Sequence, residues 1–181
     1  SEVEKLLKEL EDESRKSEDD NRRLLEELRR LSEESLRDLR RLLEDLKRLA
    51  EEIEREVRKR PEKELLEDLL RKLEKILRDI RRAIRRNIEE NRRVLEEWKK
   101  RTDKNRRDNE DIVRRIRERI RGDELKKRVD EVLETSRELL RESKRKIEEI
   151  ARRSEEELKR VKDEVDDTAR RIKRKIEEAE K

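Results

Sequence analysis

Leucine, isoleucine and valine recur along this chain every three or four residues, with charged residues almost everywhere between them. That spacing marks amphipathic helix, because residues three and four apart share one face. A longer repeat underlies it. Leu7, Leu25 and Leu43 stand 18 residues apart, as do Leu10, Leu28 and Leu46. The same step links Leu77, Leu95 and Val113, and Ile80, Trp98 and Ile116. It returns in Leu133, Ala151 and Ala169, and in Leu140, Leu158 and Ile176. A step of 18 residues closes about five turns at about 3.6 residues each, so the columns predict nearly untwisted helices; a sustained heptad would impose a left-handed supercoil. The columns of the first helix cover an arc of about 120°, the single stripe of a helix packed on one side.

Two stretches break the pattern. In "VRKRPEKE", Pro61 lacks the N–H that a helix interior needs and pushes Arg60 out of the α region. Proline suits the first position of a helix, which predicts a start at Pro61. In "RIRGDELKK", Gly122 suits the left-handed residue that ends a helix, and Asp123 can cap the next one. The expected helices are 1–59, 61–121 and 123–181, each roughly 85–90 Å long at about 1.5 Å per residue. Short connections make sequential helices antiparallel. The expected fold is all-α: one up-down-up antiparallel three-helix bundle spanning 1–181.

The stripe has gaps. Within "LKELEDESRKSEDDNRRLLEEL" the places due to leucine hold Ser14, Ser17 and Asn21. Pairing the first two helices at residue numbers summing to about 119, and the last two at about 245, brings the polar core positions together. Ser17 then meets Thr102 and Ser143, Ser14 meets Asn105, and Asn109 meets Ser136. A second zone sets Ser32 by Asn87 and Asn91 by Ser154, with Ser35 one step away. A buried hydroxyl or amide without a partner costs about 1–3 kcal/mol, so such groups belong together. Grouped, they satisfy one another and penalise any register that sets them against leucine. Thr168 stands alone, level with Leu42 and Ile76, and is expected to bond back to its own helix. Trp98 falls level with Ile147 and Asn21, whose carbonyl is the nearest acceptor for the indole N–H.

Composition changes this picture little. Charged residues make up 62% of the 181 residues and hydrophobic ones 28%, a balance that without periodicity would signal disorder. With periodicity, and with Glu, Lys, Arg and Leu dominant, it signals long helices. No apolar run is long enough to span a membrane, and nothing resembles a leader peptide. Residues 61–121 carry 22 Lys and Arg against 15 Asp and Glu, while residues 1–58 carry 15 against 20. A basic helix beside an acidic one favours their pairing. One aromatic residue is too few to stack bases, so nucleic acid is not an expected partner; nor is a lipid surface, since Trp98 sits on a core column.

Chemistry is scarce. With no His and no Cys, the common nucleophile and base pairs are missing, and a zinc site would need carboxylates alone. One glycine cannot make a phosphate loop. The reading is of a protein that is not an enzyme and needs no cofactor or metal.

The minimal loops "RKRPEKE" and "IRGDELKK", the 18-residue columns, the Ser, Asn and Thr core layers and the Glu, Lys, Arg and Asp surface resemble those of de novo designed helical bundles with buried hydrogen-bond networks. Spectrin-like repeats share three helices, yet lean on aromatic cores. The resemblance implies a monomeric structural protein without natural activity. The alternative it leaves open is a binding module, three helices of a four-helix assembly completed by a partner helix or a second copy.

Overall fold

The computed structural model describes residues 2–120 and 122–180. It holds three helices, α1 Glu2–Arg58, α2 Lys63–Arg119 and α3 Asp123–Glu180, with no strand among the described residues. The expected ends at Ser1, Arg121 and Lys181 lie outside those residues. Charge order suits the helix dipoles. Acidic residues open each helix (Glu2 and Glu4, Glu64, Asp123 and Glu124), and Arg55, Arg58, Arg117 and Arg119 close α1 and α2.

Both connections differ in detail from expectation. α1 ends in a tightened turn, where Lys59 N–H donates to the Glu56 carbonyl at 3.1 Å and Arg60 N–H to Val57 at 3.3 Å. Arg60 then takes φ 51°, in the left-handed region. α2 starts at Lys63 rather than Pro61, because the Glu62 carbonyl accepts the first helical bonds, from Leu65 N–H at 3.1 Å and Leu66 N–H at 3.3 Å. Pro61 therefore lies before the cap. Gly122 is a correction too. It has no positive φ and stands directly before α3 rather than closing α2. The left-handed position falls to an arginine in the first connection instead.

Packing gathers into two compact units, Ser1–Arg30 with Asn91–Ala151, and Leu31–Glu90 with Arg152–Lys181. In the first, Arg119 reaches Glu2 at 3.2 Å and Arg93 reaches Glu27 at 3.7 Å, so α1 and α2 run antiparallel. The second repeats this with Lys72 and Glu52 at 4.0 Å. There Arg40 also meets Glu157 at 2.9 Å and Arg171 meets Glu54 at 3.3 Å, which sets α3 parallel to α1. The order is up, down, up.

The apolar columns face inward. Leu10, Leu28, Leu46, Ile80 and Ile116 are essentially inaccessible. Each such side chain contributes about 1.5–3 kcal/mol on removal from water. The second unit owns the larger apolar cluster, centred on Leu46, Ile53, Leu73, Ile80 and Ile172. The first unit's cluster is smaller and holds Leu7, Leu10, Ile112, Ile116 and Val129.

Candidate functional site

The helices carry thirteen Ser, Thr and Asn side chains that sequence periodicity assigns to core positions, and none of them is exposed. In the first unit Ser17, Asn21, Asn91, Asn109 and Ser136 are buried, while Ser14, Thr102, Asn105 and Ser143 are half-buried. In the second unit Ser32, Asn87 and Ser154 are buried and Ser35 is half-buried. Thr168 is also half-buried, and along α3 it is flanked by Val165, Ala169 and Ile172 of the second unit's apolar cluster.

Partnering differs from the expected scheme by about one helical turn. Asn105 Nδ2 donates to Ser17 Oγ at 2.8 Å, so Ser17 pairs with Asn105 rather than with Thr102, and Ser14 does not receive Asn105. These two numbers sum to 122, not 119. In the second unit Ser154 Oγ lies 3.5 Å from Asn87 Oδ1, a sum of 241 rather than 245. Asn87 thus turns toward α3, whereas the sequence reading gave it Ser32. Several groups make no such bond: the hydroxyls of Ser14, Ser32 and Thr102 and the Asn21 carbonyl are shielded without a hydrogen-bond partner.

Trp98 is buried, with 8% of its surface exposed, as its column requires. Its indole N–H, however, has no acceptor, and the Asn21 carbonyl has no donor. The expected Trp98 to Asn21 bond is absent because the shifted register sets Leu24, not Asn21, level with the indole.

One charged cluster escaped the sequence reading. The Glu54 side chain is 24% exposed and forms ion pairs with Lys175 Nζ at 3.1 Å and Arg171 Nε at 3.3 Å. The Lys175 hydrogen bond holds the Glu54 carboxyl below the usual carboxylate range, against a partial desolvation that acts the other way; the charges of Lys175, Arg171 and Arg58 add to the lowering. Residues on α1 and α3 that are far apart in sequence make this cluster, so only the register could have announced it. Among the described residues no group of three or more acidic side chains could hold a metal ion. No helix is long and apolar enough to cross a membrane.

No protein-family model matches the sequence, and no curated protein matches it. Among solved structures the chain is similar to a computationally designed three-helix bundle, at 20% identity and a TM-score of 0.40, over 99% of this chain and 90% of that one. A likeness that loose decides neither fold nor function, which rest on the geometry.

Proposed function

We propose that the chain is a structural protein of de novo design, a monomer with no biochemical activity, whose helix register is specified by buried Ser, Thr and Asn side chains. The observation that supports this reading is their placement. In the first unit Ser17 and Asn105 pair on the stretch that follows Leu10 in α1 and precedes Ile112 in α2, outside the apolar cluster those two belong to. In the second, Ser32, Ser35, Asn87 and Ser154 sit together at one edge of the leucine-rich cluster. Leucine layers alone tolerate sliding by a turn, since leucine then still meets leucine. A polar band does not, because sliding would set amides and hydroxyls against apolar side chains at about 1–3 kcal/mol for each group left unpaired.

The test replaces the buried polar residues with leucine and reads register by disulfide exchange. Cysteines at Ser17 and Asn105, whose short side chains meet at 2.8 Å, report the native register; cysteines at Ser17 and Thr102 report a displacement of about one turn. The parent should cross-link only the first pair. The leucine-filled variant should melt higher and cross-link both. A leucine-filled variant that traps only the native pair refutes the reading.

A further inference from the structure

The first unit leaves α3 thinly covered. Between Asp123 and Ala151 the helix buries only Val129, Ser136 and Ile147, while Leu133 and Leu140 stay half-buried. Beside them, between α2 and α3, runs a groove of about 610 Å³. Leu133, Ser136 and Leu140 line one side at helical spacing, and Arg106, Asn109, Val113 and Arg117 line the other in the same way. Two stripes side by side make a trough that follows the helices for about three turns, a shape that suits a helix better than a compact ligand.

Two features of the trough describe its occupant. First, its floor is not wholly apolar. Asn109 and Ser136 are each only 8% exposed, line the groove, and make no side-chain hydrogen bond among the described residues. Second, its rims are basic. Arg106, Arg114, Arg117 and Arg137 outnumber Glu110 and Glu118; the first, second and fourth pair along their own exposed helix faces with Asp103, Asp111 and Glu134, and Arg117 has no ion pair among the described residues, which leaves its charge for an acidic flank. We infer that this groove binds a separate amphipathic helix, with a leucine stripe, acidic flanks and one amide or hydroxyl in the stripe to meet Asn109 and Ser136. A second copy of this chain does not fit the description. Its acidic helix, α1, already buries Leu6, Leu7, Leu10, Leu24 and Leu28 within its own unit. The groove is a feature of packing between α2 and α3 and stands whether or not the polar bands set the register.

The probe is a fluorescent, lactam-stapled peptide of about four turns, with leucines at helical spacing, one central Asn and Glu flanks. Its twin carries Lys in place of Glu. Anisotropy with the full chain should show the acidic peptide binding at least about tenfold more tightly than the twin, and more weakly as salt rises. Reversing the rim with Arg114→Glu, Arg117→Glu and Arg137→Glu should reverse that preference, all three side chains being exposed. Leu140→Glu should abolish binding while leaving the helical circular dichroism unchanged. Equal binding of the twins, no binding of either, binding that survives Leu140→Glu, or a solution mass twice the 22.5 kDa of one chain would each overturn the proposal.

Discussion

Removing the Ser17 hydroxyl tests whether the Asn105 bond contributes to stability. Ser17 is 5% exposed and its Oγ accepts from Asn105 Nδ2 at 2.8 Å, good geometry for such a bond. Ser17→Ala removes one small atom, so the cavity is negligible and the cost is that of the bond. Asn105 is only half-buried, which lets water reach the amide that is left behind. The expected loss is therefore about 1 kcal/mol, toward the lower end for a buried donor stripped of its acceptor. Asn105→Leu should cost less. It adds apolar surface to the interface, and a serine hydroxyl within a helix can turn to a carbonyl four residues earlier. The double variant, with both polar groups gone, should be nearly as stable as the parent, leaving a coupling of about 0.5–1.5 kcal/mol. Guanidinium unfolding followed by circular dichroism measures all four proteins, provided their denaturant slopes agree. Costs that add to within about 0.3 kcal/mol would show no coupling and refute the reasoning.

Other substitutions probe the ends, the charges and the indole. Arg60→Gly should stabilise the protein by about 0.5–1 kcal/mol, since it relieves a side chain held at φ 51°. Gly122→Ala should do the same by about 0.4–1 kcal/mol, because an added Cβ meets nothing within 4 Å and the backbone there needs no glycine; denaturant midpoints decide both. Glu54→Gln should cost up to about 1 kcal/mol at neutral pH. Because folding lowers the Glu54 pKa from about 4.5, that contribution is fully present above this unfolded value and is lost as pH falls below it and through the lower folded pKa, so parent and variant should converge in acid melts; a difference unchanged in acid would reject the pairing. Trp98→Ala should cost about 3–5 kcal/mol, and the parent's fluorescence should be blue-shifted and poorly quenched by acrylamide; emission like that of free indole would contradict its burial.

The helices and their inward faces were legible in the sequence because periodicity reports rotation about an axis. Position along the axis was not. The expected helix ends near residues 59 and 61 imply a register sum close to 120, and the observed ends at Arg58 and Lys63 sum to 121, near the 122 of Ser17 with Asn105. Likewise Arg119 and Asp123 sum to 242, near the 241 of Asn87 with Ser154. At the first connection the ends moved that sum by one residue, whereas the pairing moved by three, from 119 to 122, so the caps account for only part of the offset that took Asn21 away from Trp98. The columns could not correct it, since leucine recurs on each turn. Short polar side chains register such an offset because their bonds do not stretch.

The uneven burial along α3 also bears on time. From Ser154 to Ile176 the helix buries seven side chains, among them Leu158, Val161, Val165 and Ile172, whereas from Asp123 to Ala151 it buries three. Backbone amides exchange with solvent at the rate at which their neighbourhood opens, and opening costs least where little apolar surface is exposed by it. Deuterium should therefore enter the backbone around Leu133–Leu140 well before it enters that around Leu158–Ile172, and a protease that nicks α3 should find the first stretch before the second.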